Sequence, residues 1–158
     1  MKLLGTPVNS LLREALRAGT IAGLAMIPLG LLFSGLGLRI NEYGHKLVQL
    51  FFGQFPKALR LALFVLEHFV VSWLVAIPLL LLLLRYRRSP PLVVGLLYGL
   101  GFYALVNSLL LPLAFGDSNP WELGIVTVAP SLLVHLVYGG ALALCARISS
   151  LKPGEYSS

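Results

Sequence analysis

The stretch Leu61–Leu84, LALFVLEHFVVSWLVAIPLLLLLL, decides the class of the fold. Arg60 precedes it, and Arg85, Arg87 and Arg88 close it. A helix rises ~1.5 Å per residue, so a run of this length crosses the ~30 Å hydrocarbon core of a bilayer with room for tilt. Glu67 and His68 stand inside it with no opposite charge near them in sequence. Ionisable groups at such depth are costly, so they mark a function or a specific helix contact. His68, Ser72 and Ala76 recur every four residues and define the face that should point into a bundle. Glu67 lies about 100° around the helix from His68, so the two cannot point along one narrow line.

Composition agrees with a membrane class. Charged residues make up only 11% of the chain and hydrophobic residues 58%, whereas a soluble domain carries about 25% charged residues. The net charge of +6 comes from short basic groups beside apolar runs, not from one patch with interleaved aromatics. Such charge faces lipid headgroups, and no nucleic-acid partner is expected. Cys145 is the only cysteine, which excludes an intramolecular disulfide, a Cys-x-x-Cys redox pair and a thiolate metal cluster.

Working outward from the central run, three more spans emerge. The first is 18–38, with Gly19 and Gly23 as a Gly-x-x-x-Gly pair and Gly30, Ser34 and Gly37 extending a small-residue stripe. Small residues let helix backbones approach closely in lipid. Residues 1–17 read as a cytoplasmic lead-in, in which Ser10 could cap a short helix. Its apolar side would be Leu11, Leu12, Ala15 and Leu16, and its basic side Arg13 and Arg17. Over 41–53, Glu42, His45, Lys46 and Gln49 alternate at helical spacing with Tyr43, Leu47, Leu50 and Phe51. That pattern describes an amphipathic helix lying in the interface plane between the first two spans.

The third span is 91–114, started by Ser89-Pro90, with Gly95 and Gly99 as a second Gly-x-x-x-Gly and Tyr103 and Asn107 continuing that face. In Asn119-Pro120-Trp121-Glu122, Asn119 suits the cap and Glu122 can reach back to its amide. The fourth span, 122–146, carries Gly124, Thr127, Ser131, His135, Tyr138 and Gly139 on one face. A polar tail occupies 147–158. The expected fold is an all-α membrane protein, a four-transmembrane-helix bundle. Its tightest pair should be the third and fourth spans, meeting through Gly95, Gly99, Gly124 and Gly139.

Lys2, Arg13, Arg17, Arg85, Arg87, Arg88, Arg147 and Lys152 fall on one side of such a bundle, and only Arg39, Lys46, Lys57 and Arg60 on the other. The positive-inside rule then puts both termini in the cytoplasm. Ser34, Glu67, His68, Asn107 and Thr127 come within roughly 10 Å of the external interface at ~1.5 Å per residue. Tyr103 and Ser131 lie deeper and His135 lies near the midplane. A polar pocket in the outer half, closed below by aliphatic residues, follows from that distribution.

Nothing in the chain resembles a Ser–His–Asp set, a His-Glu-x-x-His helix or a phosphate loop, so an enzyme is not expected. The segments Gly95-Leu96-Leu97-Tyr98-Gly99, Asn107-Ser108, Leu111-Pro112, Pro120-Trp121-Glu122 and His135-Leu136 resemble the C-terminal half of the YagU-like family of small bacterial inner-membrane proteins. The resemblance implies a bacterial inner membrane and a histidine at the midplane of the fourth helix. The residues themselves leave three functional readings. In the first, the outer pocket (Glu67, His68, Tyr103, Asn107, Ser131, His135) binds a small molecule or handles protons. In the second, the chain is an accessory or assembly subunit whose polar groups only join helices. In the third, His68 and His135 bind haem or a metal. No cofactor and no metal site are expected under the first two. The partners are the lipid bilayer and either a second copy of the chain or another membrane subunit.

Overall fold

The computed structural model describes residues 2–3, 6–38, 43–116, 118–119, 122 and 124–151. Arg39, Glu42, Pro120, Trp121 and Lys152, which figure in the sequence analysis, lie outside the described residues, as do the side chains of His45 and Lys46. Helix α1 spans Val8–Gly35, α2 Tyr43–Phe52 and α3 Lys57–Arg85. The third long helix begins as α4 (Pro91–Leu105), passes through a π turn (Val106–Leu110) and ends as α5 (Leu111–Phe115). Helix α6 spans Ile125–Cys145, and a 3-10 turn, Ile148–Leu151, follows it. A two-residue pairing of Lys2–Leu3 with Thr6–Pro7 precedes α1. Four helices, Val8–Gly35, Lys57–Arg85, Pro91–Ala114 and Ile125–Cys145, are long and apolar enough to cross a membrane. The fold is an all-α membrane bundle.

Prolines punctuate it. Pro7, Pro56 and Pro90 each stand immediately before a long helix, in extended conformation and without a side-chain cap. Proline's fixed φ suits a helix entry, and its missing N–H removes a donor that would have no partner there. Ser10 therefore sits inside α1 and does not cap it. The helix starts ten residues before the expected span because Leu11 and Ala15 already pack into the core, while Leu12 and Leu16 stay exposed. The π turn has a cause visible in the chain. Pro112 has no N–H to offer the carbonyl four residues back, and the amide of Leu111 turns instead to Val106 O.

Helix α1 runs antiparallel to α3 and to α6, and α4 runs antiparallel to α6. The seams show it: Gly19 meets Ser72 and Trp73 while Gly23 meets His68, and Gly95 meets Gly139 while Gly99 meets His135. Half of the most apolar stretch of α6 is buried inside the protein, against 22% for α1 and for α3, so α6 is the central helix. The hydrophobic core gathers at the end where both termini lie, here the near end. It comprises Leu11, Ala15, Ala18 and Ala22 of α1, Ala76, Leu79, Leu80, Leu83 and Leu84 of α3, Tyr138, Leu142 and Ala143 of α6, and Leu151. Helix α3 touches α4 sparingly, and the third helix is absent from that buried core.

The glycine seams differ from the expected set in one member. A Cβ on Gly95 would strike Gly139 O, one on Gly99 would strike His135 O, and one on Gly139 would strike Gly95 O. Gly124 takes no part: it precedes α6 with φ +74°, and a Cβ added to it would meet nothing within 4 Å. Its left-handed backbone breaks the helical run there, so α6 begins at Ile125, three residues after the expected start at Glu122. The expected cap is seen just upstream, where the Asn119 amide donates to Glu122 Oε2 at 3.0 Å. Beyond Gly23 the first small stripe also leaves the interface, since Ser34 is exposed and Gly35 and Gly37 meet nothing.

Helix α2 is tied to α3 through Arg60, which donates to Gln49 Oε1 at 2.7 Å, and it buries Val48. Leu50 and Phe51 remain exposed, and the rings of Phe52 and Phe55 pack with centroids 5.5 Å apart.

Replacing Gly99 by Leu should lower the thermal unfolding temperature in detergent sharply, because the added side chain meets main chain that cannot yield. Gly101 lies half a turn away with open space around it, so Gly101→Leu should unfold with the wild-type protein. Equal stability of the two variants would place the α4–α6 contact elsewhere.

Candidate functional site

In a bilayer a buried donor or acceptor has no water to turn to, so each polar side chain here can be followed to its partner. Four of the six pocket residues named from sequence come together between the third helix and α6. Tyr103, Asn107 and Ser131 are buried. The His135 ring lies between Phe102 and Tyr103, with centroids 5.7 and 5.5 Å away, the second contact edge-on. His135 Nδ1 sits 2.7 Å from Ser131 O, an arrangement that requires the proton on Nδ1, since a carbonyl only accepts. Asn107 Nδ2 donates to Tyr103 O at 3.1 Å, on the turn that leads into the π segment.

His68 belongs to another seam. Its Nε2 lies 3.2 Å from Gly23 O of α1. One turn further along that seam, Trp73 Nε1 donates to Thr20 Oγ1 at 2.9 Å, and Thr20 in turn donates to Leu16 O at 2.7 Å. Tyr138 of α6 donates to Ser72 O of α3, and Tyr98 of α4 donates to Val75 O of α3 at 2.7 Å. The structure therefore does not pair His68 with His135: each is held on a main-chain carbonyl in a different interface. No group of three or more His, Cys, Asp or Glu that could hold a metal occurs among the described residues.

Glu67 stands apart from both clusters. It is half-buried, and its Oε1 is fully covered with no hydrogen-bond partner among the described residues. One helical turn toward the near end, on the same face of α3, Val71 forms one wall of a cleft of about 440 Å³. Phe102, Val106, Leu109 and Leu113 line the opposite wall, and every lining residue is apolar. The cleft follows from the packing. Tyr98 holds α3 and α4 together toward the near end, and the cleft lies beyond that bond.

At the near end lies a polar cluster that sequence reading missed. Arg17 chelates the Glu14 carboxylate, through Nε at 3.0 Å and through Nη2, and Nη2 also reaches Cys145 O. The Arg147 amide donates to Glu14 Oε1 at 2.7 Å. The start of α1 is thereby fastened to the end of α6, and the Cys145 thiol packs against Ala18 O at 3.8 Å. The signal available was the i, i+3 spacing of Glu14 and Arg17 on a helix. Their partner at Arg147, far along the chain, has no local signature.

Fold and seams together define a four-helix membrane bundle joined by glycine contacts and by side chains bonded to neighbouring carbonyls. No protein-family model matches the chain, and no curated protein or solved structure does either.

Two substitutions test the seams. Tyr98→Phe removes the O–H bond to Val75 O and should cost about 1 kcal/mol in equilibrium unfolding. Arg17→Met strands the buried Glu14 carboxylate and should cost about 1–3 kcal/mol, less when combined with Glu14→Gln. Strict additivity of that pair would show that the clamp carries no energy.

Proposed function

We propose that the chain is a non-enzymatic protein of the bacterial inner membrane with both termini in the cytoplasm, and that its outer half binds a small molecule through Glu67. The observation that carries the reading is the covered Glu67 Oε1 without a partner among the described residues. A buried acceptor left unmatched costs about 1–3 kcal/mol, and the chain bears that cost beside an open apolar cleft. A ligand that displaces the groups covering the carboxyl and supplies a donor recovers it. The resemblance to YagU-like proteins supports the choice of membrane, and the distribution of Lys and Arg supports the orientation.

Proton handling through Glu67, His68 and His135 is the weaker form of this reading, since the two histidines sit in separate interfaces. A second reading has its own observation. Tyr98 and Tyr138 both end on main-chain carbonyls of α3, as expected of an accessory subunit whose polar groups are only helix contacts.

The two readings separate on Glu67→Leu. For a binding group, the substitution should raise thermal stability in detergent while abolishing a small molecule that co-purifies with the wild-type protein and is seen by mass spectrometry. A helix contact would lose stability on the same change. Co-purification of a stoichiometric second protein with no small molecule would establish the accessory reading.

A further inference from the structure

We propose that the exposed side of α1 at the near end holds the phosphate of an anionic phospholipid, Arg13 supplying the charge and Arg17 two further N–H groups. This site is separate from Glu67 and stands whether or not Glu67 binds anything.

The burial pattern of α1 turns Arg13 toward lipid. Leu11, Ala15, Ala18 and Ala22 mark the buried side of the helix. Arg13 lies about 200° around from Leu11, nearly opposite, and it is exposed. Leu16, Leu24, Ile27 and Leu31 follow Arg13 on the same side at helical spacing, and all four are exposed. Arg13 thus heads an apolar stripe that meets acyl chains. Its guanidinium is always charged, and it makes no hydrogen bond or ion pair among the described residues. Helix α6 ends at this level of the bundle, since Arg17, one turn along from Arg13, reaches the carbonyl of its last residue, Cys145.

Arg17 completes the site with donors that are already aimed. Its Cβ stands about 5–6 Å from that of Arg13. Glu14 holds its Nε and Nη2, and Nη2 also donates to Cys145 O. Those three bonds leave the two N–H groups of Nη1 without an acceptor among the described residues. The Arg17 side chain is 30% exposed, so an acceptor can approach from lipid. Phosphate oxygens suit the guanidinium fork in both geometry and charge.

Charge selects the class of lipid. Glu14 cancels Arg17, and Arg13 leaves a surplus of one positive charge. A headgroup of net charge −1 balances it, whereas a zwitterionic headgroup brings a cation of its own. The apolar stripe selects a lipid over a free anion, because a phosphate seated at Arg13 directs its acyl chains along Leu16, Leu24 and Ile27.

Native mass spectrometry of the full chain in non-ionic detergent tests this with three probes: dioleoyl phosphatidylglycerol, dioleoyl phosphatidylcholine and tail-free glycerophosphoglycerol. The first should be retained at one per chain, about fivefold more tightly than the choline lipid, because one arginine near a membrane surface contributes about 1 kcal/mol. The tail-free probe should not bind. Arg13→Gln should erase the preference between the two lipids without changing the unfolding temperature of the lipid-free protein, and Arg13→Lys should keep most of it. Arg88→Gln, which removes an exposed cation beyond the end of α3, should leave the preference intact.

Equal retention of the two lipids by the wild-type protein would overturn the charge selection. Equal loss of preference in Arg13→Gln and Arg88→Gln would overturn the site and leave only diffuse attraction to the basic end. Arg13-dependent binding of the tail-free probe would overturn the lipid and make this a site for a soluble phosphate ester. None of these outcomes bears on the Glu67 reading.

Discussion

Gly95 and Gly139 bring the main chains of the third and fourth long helices into direct contact, and Gly99 repeats the approach against His135 one turn further out. In lipid there is no hydrophobic effect to draw one apolar helix to another, so association depends on how closely surfaces fit. Backbone against backbone is the closest fit available. This seam makes α6 the central helix, and it seats the Tyr103–His135 contact above the glycines. It also gives α3 little of α4 to touch. The cleft at Val71 is a by-product of that geometry: α4 is held by α6, α1 is shared by α3 and α6, and the ring of helices stays open between α3 and the outer third helix.

The same scarcity of water explains the polar contacts. Tyr98 and Tyr138 donate to main-chain carbonyls of another helix and the His68 ring nitrogen lies on one as well, while Asn107 and His135 bond carbonyls of their own helix. Carbonyls already bonded along a helix keep a second lone pair, so a side chain can join two helices without taking a bond from either. The charged pair at the near end is more demanding. Glu14 is tolerated in a buried position because Arg17 and the Arg147 amide both donate to its carboxylate. Glu67 Oε1, also covered, has no equivalent donor among the described residues.

Much of the fold was legible in the chain. Runs of apolar residues longer than a bilayer is thick leave no choice but transmembrane helices, and Gly95, Gly99, Gly19 and Gly23 announced their seams by spacing alone. Gly124 carried the same spacing and proved to be a break, because a glycine is permissive toward left-handed backbone as well as toward close packing. Only the path of the chain distinguishes the two uses. The π turn at Pro112 was implied by chemistry, though its extent depends on which neighbours accept the displaced side chains.

Partnership across helices is the part no linear reading could supply. Sequence places His68 and His135 at depths on their own helices, and says nothing about rotation of one helix about its axis relative to another. Tertiary packing turned His68 to α1 and His135 to the third helix, and joined Glu14 to Arg147. The chain by itself determined that there are four apolar helices and which residues on them are small or polar, since hydropathy and spacing are local properties. The tertiary structure alone decided which polar groups meet and which carboxyl is left beside an open cleft, because that depends on helix rotation and on the order in which the seams close.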